Sequence, residues 1–173
     1  MKSFISEDDI EQAICNRLAL PEYGWTRIEC DPSAEAQDDV SRTGRSASSE
    51  CILLDVLLSS LKRLNPQIDE KILKGIVRDF RRDFSGTDLV DTNYRLYGQI
   101  RNGVNVKVLR DGKEDFDIVR LIDFGNPLNN SFHCVNQMWI KGHYRYRRPD
   151  VLLFVNGLPM VFIELKNSTV KIE

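Results

Sequence analysis

Three ionisable side chains interrupt two apolar segments near the end of the sequence. The stretch RRPDVLLFVNGLPMVFIELKN, residues 147–167, holds Asp150, Glu164 and Lys166 among hydrophobic residues. A strand buried on both faces favours hydrocarbon, and a charge resists burial unless it is paired or binds a cation. Two acids and a lysine at strand ends therefore indicate either solvated termini or a chemical site.

The segments DVLLFV and MVFIEL predict two strands, and NGLP between them carries an asparagine-glycine turn signal. Because both segments are continuously apolar, we expect the sheet to be covered on both faces at these strands. Side chains alternate along a strand, so Glu164 and Lys166 share one face.

The register of the two strands decides where Asp150 points. A two-residue loop at positions 156–157 sets Asp150 opposite Ile163, whereas a three-residue loop at positions 156–158 sets it opposite Glu164. We predict the three-residue loop, because it brings the three polar groups together. Directly opposed residues have Cβ atoms about 4.5–5.5 Å apart, so two carboxylates there can share one hard cation.

This arrangement predicts a magnesium site and phosphodiester hydrolysis. Apposed carboxylates repel each other unless a positive charge lies between them. Mg²⁺ held by Asp150 and Glu164 would polarise a phosphate oxygen and lower the pKa of bound water. Lys166 would orient the attacking water or stabilise charge on the pentacovalent phosphate. The position of these charges at the ends of apolar strands favours this interpretation over solvated strand termini.

The elements that position these residues form a helical first part and a strand-rich second part. Helical spacing of apolar residues predicts three helices, of which the last two pair as a hairpin, over residues 6–20, 50–64 and 69–84. Short β-branched segments between turn signals predict strands over residues 104–109, 117–124, 133–140, 150–155 and 160–165. The fold class is therefore α/β (mixed α+β), with a central mixed sheet flanked by helices.

Composition indicates a soluble globular protein. The 173 residues, 42% hydrophobic and 29% charged, are ordinary for a single domain spanning residues 1–173. Residues 31–50 have few large apolar side chains and predict a mobile surface loop. No apolar run approaches the roughly 20 residues of a membrane span, and the start lacks a secretory signal pattern. We therefore expect a cytoplasmic protein without a membrane partner.

Charge indicates at most a local nucleic-acid contact. A net charge of −2 gives no global basic signal, and four dispersed cysteines with two histidines do not suggest a zinc site. However, Arg145, Arg147 and Arg148 directly precede Asp150 within HYRYRRP, residues 143–149. Because arginines supply phosphate contacts, we predict these three as DNA-binding residues. A solvated strand or loop would carry the same pattern.

The motif RPDVLLFVNGLPMVFIELKN resembles the nuclease motif of the R subunit of type I restriction-modification enzymes, in which R-P-D, F-V-N-G-L-P and E-L-K-N follow one another. The upstream VRLIDFGNPLNNSFHCVNQ resembles that family's D-F-x-N-P-x-N-N-x-F segment, and SEDDIEQAICNRL is similar to its opening helix. Within the upstream segment we expect NPLNN to serve chain geometry. The resemblance implies a PD-(D/E)xK nuclease domain with a restriction-endonuclease-like core.

The resemblance also implies roles for individual residues. Asp150 and Glu164 correspond to metal ligands, and Lys166 to the catalytic lysine. An acid on the first helix often joins the metal site in this superfamily, which makes Glu11 the candidate third ligand and Glu7 the second choice. Either acid could equally be an exposed helix residue. The implied cofactor is Mg²⁺, whereas ATP would serve only motor domains that this chain lacks.

The implied function is that of a magnesium-dependent endonuclease domain that hydrolyses double-stranded DNA away from the recognition site. Its partners would be the methyltransferase (M) and specificity (S) subunits. Family members continue past E-x-K into a further helix, full R subunits carry an ATP-driven motor, and no G-x-x-x-x-G-K-[ST] loop occurs here. We therefore expect an N-terminal fragment with a sheet truncated at its C-terminal end.

Two other functions fit the same sequence. One is a non-catalytic docking module that joins the motor to the methyltransferase and specificity subunits, with surface helices at residues 50–82 as the informative region. The other is a stand-alone structure-selective nuclease of the same superfamily, such as a junction resolvase, which would be complete and dimeric. Divergence of Asp150 and Glu164 to opposite faces of the hairpin would remove the physical basis of the nuclease interpretation.

Overall fold

The computed structural model describes residues 6–81 and 88–166. The helices are α1 (Glu7–Leu18), α2 (Leu54–Leu64), α3 (Glu70–Phe80) and α4 (Leu89–Asn102). The strands are β1 (Thr26–Glu29), β2 (Val104–Arg110), β3 (Lys113–Val119), β4 (Phe132–Asn136), β5 (Ile140–Lys141), β6 (Tyr146–Arg147), β7 (Val151–Val155) and β8 (Leu158–Ile163). The fold class is mixed α+β with a four-stranded mixed sheet, as predicted.

The chain divides into two compact units. The first, unit 1, comprises Met1–Leu53 with Phe132–Glu173, and unit 2 comprises Leu54–Ser131. All four strands of the main sheet belong to unit 1, in the order β1-β4-β7-β8. Strand β1 runs parallel to β4, and the other neighbours are antiparallel. The single-domain organisation stays a prediction.

Helix α1 begins with a capping box and packs one face on the sheet. The Ser6 hydroxyl accepts a hydrogen bond from the Asp9 backbone N–H at 3.1 Å, and the Asp9 carboxylate accepts one from Ser6 N–H at 3.0 Å. Further along the helix, Cys15 is fully buried in a cluster with Cys134 of β4 and Val151 of β7. This cluster fixes the inner face of α1 against the middle of the sheet.

The segment at residues 31–50 has little regular structure, apart from a short 3₁₀ helix at Ala34–Ala36. Arg45 within it is buried and donates to the carbonyls of Glu50 at 2.8 Å and Trp139 at 2.9 Å. A buried guanidinium is tolerated where its donors find acceptors. The mobility of this segment stays a prediction.

Unit 2 pairs α2 with α3 and adds α4 and the β2–β3 ribbon. The predicted hairpin of helices is present, but α2 begins at Leu54 rather than at position 50. Helix α3 ends at Phe80, and residues 82–84 of the predicted helix lie outside the described residues. Helix α4 was not predicted.

The strand predicted over residues 117–124 is wrong in its bounds, since β3 spans Lys113–Val119. Asp111 and Gly112 have positive φ angles of 52° and 75°, so the turn uses only these two residues and β3 starts directly after it. The ribbon is a separate two-stranded sheet, as is β5–β6, whereas a single sheet was expected. No helix among the described residues is long and apolar enough to span a membrane.

Candidate active site

The β7–β8 hairpin closes through a two-residue turn. Asn156 and Gly157 have φ angles of 50° and 83°, and Val155 pairs directly with Leu158. This pair of left-handed residues suits the twist of a tight hairpin. The predicted three-residue loop at positions 156–158 is therefore wrong.

A β-bulge restores the register that the three-residue loop was expected to produce. Phe154 pairs with Pro159, but the next pair is Leu153 with Val161, which leaves Met160 as an extra residue on β8. A bulge places two residues of one strand opposite one of the other and shifts every later pair by one position.

The shifted register brings the two acids into opposed positions. Val151 pairs with Ile163 at the end of the ladder, so the next residues along the two strands are Asp150 and Glu164. The Asp150 carboxylate also accepts a hydrogen bond from the Leu165 backbone N–H at 2.6 Å. The carboxylate of one strand is thereby tied to the main chain of the other.

Lys166 completes a compact group of charges. Its ammonium donates to Glu164 Oε1 at 2.7 Å. This bond, followed by the negative charges of Glu164, Asp150 and Glu7, raises the pKa of Lys166 above its usual value. Lys166 is therefore a cation at neutral pH, which suits it to stabilise negative charge and not to accept a proton.

Strand β8, which Glu164 directly follows, is more exposed to solvent than expected. Phe154 of β7 is fully buried, but Met160, Val161 and Phe162 of β8 are 42%, 47% and 62% exposed. The prediction that both strands are covered on both faces is wrong for β8, because it is the edge strand and has a described neighbour only at β7. Glu164 and Lys166 are accordingly exposed, and Asp150 is half-buried.

Glu11 lies on the buried face of α1 and is only 4% exposed. Its Oε1 accepts from the Asn136 side-chain amide at 2.8 Å, and its Oε2 accepts from the Gln137 side-chain amide. The alternative of an exposed helix acid is therefore wrong for Glu11. Glu7 is half-buried, one turn earlier on the same helix.

Asn136 and Gln137 were not predicted as site residues. Asn136 is the last residue of β4 and Gln137 follows it. Gln137 links the Glu11 carboxylate to Asp150, because the Gln137 backbone N–H donates to the Asp150 carbonyl at 3.0 Å. The available signal was an Asn-Gln pair inside a segment otherwise typical of a buried strand.

The arrangement around these two amides is energetically costly. Asn136 Oδ1 and Gln137 Oε1 are buried and accept no hydrogen bond within the described part of the chain. Gln137 also has a positive φ angle of 58°. An orphaned buried acceptor and a left-handed non-glycine residue each cost on the order of 1–3 kcal/mol.

Two of the predicted metal ligands, Asp150 and Glu164, occupy opposed positions at the ends of β7 and β8. Across residues 6–81 and 88–166, no three His, Cys, Asp or Glu side chains cluster closely enough to hold a metal ion. Glu11 as a third ligand stays a prediction. The two opposed carboxylates alone still fit Mg²⁺, whose protein sites commonly use one or two carboxylates, with water and phosphate oxygens completing the shell.

The predicted DNA-binding arginines lie on the excursion between Gln137 and Asp150. Arg145 is in the turn between β5 and β6 and Arg147 is on β6, and both are exposed. The Arg148 guanidinium stacks over the Trp139 ring at 5.1 Å and donates to the Pro32 carbonyl. The Arg148 side chain thus makes structural contacts.

Comparisons with known proteins identify related chains. The family model described as "Type I restriction enzyme R protein N terminus" matches residues 4–173. The chain is 34% identical to the type I restriction enzyme HindI endonuclease subunit of Haemophilus influenzae, over 94% of this chain and 15% of that protein. It is 30% identical to the putative MjaIXP endonuclease subunit of Methanocaldococcus jannaschii, over 71% of this chain and 12% of that protein. The chain thus spans a small part of these relatives.

Proposed function

Because the chain belongs to the family of type I restriction enzyme R protein N termini, we propose that it is the endonuclease part of an R subunit. It hydrolyses phosphodiester bonds of double-stranded DNA away from the recognition site. The observation that carries this proposal is the opposed register of Asp150 and Glu164, with Lys166 bonded to Glu164 at 2.7 Å.

The proposed site divides the chemistry between the two acids and the lysine. Asp150 and Glu164 contribute oxygen ligands for Mg²⁺ from neighbouring strands. Bound Mg²⁺ supplies Lewis-acid polarisation of the phosphate and a water of lowered pKa. Asp150 is held by the Leu165 N–H, which orients its carboxylate before substrate arrives. Lys166, protonated at neutral pH, stabilises negative charge that develops on the phosphate.

The proposed chemistry does not use Glu11, the predicted third ligand. Both of its oxygens accept amide hydrogen bonds, so the carboxylate is already engaged by Asn136 and Gln137. A ligand role would require those contacts to be shared or exchanged. The buried network favours a different role, which is argued below.

DNA is proposed to run along the β5–β6 excursion. Arg145 and Arg147 carry the phosphate contacts, and the exposed Tyr144 and Lys141 extend the same surface. Phosphate contacts of this kind give affinity without sequence selection. Arg148 contributes less to DNA binding, because its guanidinium stacks on the Trp139 ring.

The remaining functions of the enzyme are assigned to other parts of the complex. We propose that methyltransferase and specificity subunits select the DNA site, that ATP is used by the motor region of the R subunit, and that the complex works in the cytoplasm. The assignment of these functions to other regions is supported by the length of the relatives, since this chain matches only 15% of the HindI endonuclease subunit.

A second candidate function is docking, and unit 2 offers the observation that favours it. Tyr94 of α4 is 80% exposed, and Leu109 and Phe116 of the β2–β3 ribbon are 75% and 66% exposed. Exposed apolar side chains grouped on one unit are typical of protein interfaces. Helices α2 and α3 bury apolar residues such as Leu57 and Leu73 on one face. The expectation that their surfaces carry docking stays a prediction.

The test compares DNA cleavage and ATP hydrolysis by an R subunit that carries this chain, assembled with its partner subunits and Mg²⁺. Asp150→Ala, Glu164→Ala and Lys166→Ala are each expected to lose cleavage and to retain ATP hydrolysis. Glu114→Ala, at an exposed acid of the β2–β3 ribbon, is the control and should cut like the parent protein. Parental cleavage by all three site variants would refute the nuclease assignment and leave docking as the function.

A further inference from the structure

We infer that Glu11, Asn136 and Gln137 form a positioning network that holds Asp150 in place, with Glu11 acting through Gln137 and not as a metal ligand. The inference rests on the proposed function, because it assigns the network to the site that contains Asp150. It also explains why an acid and two amides are buried together at the end of β4.

The network starts from a well-anchored strand end. Asn136 pairs with Val151 on β7, and its carbonyl accepts from the Cys30 N–H at 3.1 Å. The Asn136 backbone is thus held from both sides, at the last position of β4. Gln137 follows directly and turns the chain out of the sheet with its positive φ angle of 58°.

The Glu11 carboxylate accepts hydrogen bonds from the side-chain amides of both Asn136 and Gln137. Asn136 donates to one oxygen at 2.8 Å and Gln137 donates to the other. Glu11 itself is fixed, because Cys15, one turn later on the same face of α1, is fully buried against Cys134. A rigid helix therefore presents a fixed acceptor to the Gln137 side chain.

Gln137 then holds Asp150 through a main-chain hydrogen bond. The Gln137 N–H donates to the Asp150 carbonyl at 3.0 Å, and the Leu165 N–H donates to the Asp150 carboxylate at 2.6 Å. Asp150 is thus held at its backbone by β4 and at its side chain by the segment after β8. Release of the Gln137 side chain would let its backbone relax toward negative φ and turn its N–H away from Asp150.

Two features distinguish this network from ordinary structural packing. Gln137 adopts a left-handed conformation that glycine or asparagine would take with less strain. Asn136 is only 1% exposed, yet its Oδ1 accepts no bond within the described ranges. Strain of this kind persists where surrounding structure enforces it, and it concentrates at functional sites.

The experiment measures Mn²⁺ affinity by calorimetry on the R subunit carrying this chain, without DNA or nucleotide. Gln137→Asn keeps a residue that tolerates the left-handed backbone but shortens the side chain by one methylene. Glu11→Gln keeps the size of the acid and removes its charge. Gln12→Asn on the same helix is the control, since Gln12 accepts from Arg27 at 2.6 Å in a separate contact.

Each single variant is expected to bind Mn²⁺ about 10–100-fold more weakly, the usual effect of losing a group that orients a ligand. The double variant Glu11→Gln with Gln137→Asn should be no weaker than the more affected single variant, because both changes break one pathway. Additive losses would make Glu11 an independent ligand and overturn the inference. Parental affinity in Gln137→Asn would overturn it as well.

A second readout separates this inference from the proposed function. Hydrogen exchange at the Leu165 amide reports directly on its bond to Asp150. If Asp150→Ala retains Mn²⁺ affinity and cleavage, the proposed function fails. Exchange at Leu165 then still decides the network: faster exchange in Gln137→Asn supports positioning of Asp150, and parental exchange refutes it.

Discussion

Two clusters of carboxylate and amide side chains in this molecule differ in how completely their polar groups are paired. In unit 2, the turn that contains NPLNN is closed by Asp123, whose Oδ1 accepts from Gly125 N–H and Asn126 N–H, each at 3.0 Å. Asn130 accepts from Asp123 N–H at 2.9 Å and donates to the Asp123 carbonyl at 2.8 Å. In unit 1, the side-chain amides of Asn136 and Gln137 donate to the Glu11 carboxylate. Their two oxygens are buried and accept no hydrogen bond from the residues that the structure describes.

The difference separates a structural cluster from a positioning one. Local asparagine bonds that satisfy one another stabilise a turn and need no further partner. A buried carboxylate held by Gln137, whose φ angle is positive, and by Asn136, whose Oδ1 is orphaned, lowers stability. Such costs concentrate at functional sites, which supports the inference that this network positions Asp150. The comparison therefore predicts that mutations in the unit 1 cluster change metal affinity, whereas mutations in the unit 2 cluster change stability. It also predicts different effects on DNA cleavage for mutations of charged residues in the two units.

The largest contrast is expected between two lysine-glutamate pairs. Lys166 donates to Glu164 at 2.7 Å in unit 1, and Lys107 donates to Glu114 at 3.2 Å in unit 2. Lys166→Met should lower the rate of DNA cleavage about 10²–10³-fold, the usual loss for one electrostatic group at a reacting phosphate. Lys107→Met should cleave at the parental rate, and an equal loss in both variants would break the contrast.

The next effect is on stability. Asn130→Ala removes the acceptor for Asp123 N–H and the donor to the Asp123 carbonyl, so we expect unfolding to become easier by about 1–3 kcal/mol. Denaturant unfolding of the protein measures this change. Mn²⁺ affinity should stay at the parental value. A weakened affinity would mean that the NPLNN turn, too, serves the metal site.

A smaller effect is expected on DNA affinity. Arg145→Ala and Arg147→Ala should each reduce the salt dependence of DNA binding, by about one in the slope of log K against log salt. Arg148→Ala should change the slope less, because its guanidinium contacts Trp139 and Pro32. The control is Arg110→Ala in unit 2, where Arg110 pairs with Asp115 at 3.0 Å. Equal slopes in all four variants would remove the β5–β6 excursion from the DNA interface.

The smallest effect concerns acid stability. The Asn129 side chain, with the N–H groups of Asn126 and Gly125, holds the pKa of Asp123 below its usual value. A lowered pKa in the folded state contributes stability that is present above the unfolded pKa of about 3.9 and is lost as pH falls through the folded pKa. Asp123→Asn should therefore be less stable than the parent at pH 6, and the difference should shrink below about pH 4. A constant difference in unfolding midpoint across this range would contradict the assignment.

Sequence patterns predicted the helices and strands that carry strong local signals. Helical spacing of apolar residues predicted α1, and the Asn156-Gly157 turn signal predicted the β7–β8 hairpin. The opposed register of Asp150 and Glu164 was predicted for the wrong reason, because the additional residue is Met160 in a bulge and not a third loop residue. A bulge depends on pairing between strands, which local periodicity does not encode.

Other features depended on tertiary contacts and were missed. Strand β1 is only four residues long and is defined by its parallel pairing with β4. The exposure of Phe162 follows from the edge position of β8, which an apolar pattern cannot distinguish from a central strand. Burial of Glu11 required the partnership with Asn136 and Gln137, more than 120 positions away in the chain.

Cleavage by Asp150→Asn tests the nuclease assignment most directly. The change is nearly isosteric, and its side-chain oxygen can still accept from the Leu165 N–H, so the variant removes the charge and keeps the shape. It should be measured in an R subunit assembled with its partners, Mg²⁺ and ATP. Loss of cleavage with unchanged ATP hydrolysis is the predicted result. Cleavage at the parental rate would contradict it and show that the acids at the ends of β7 and β8 do not perform the cutting reaction.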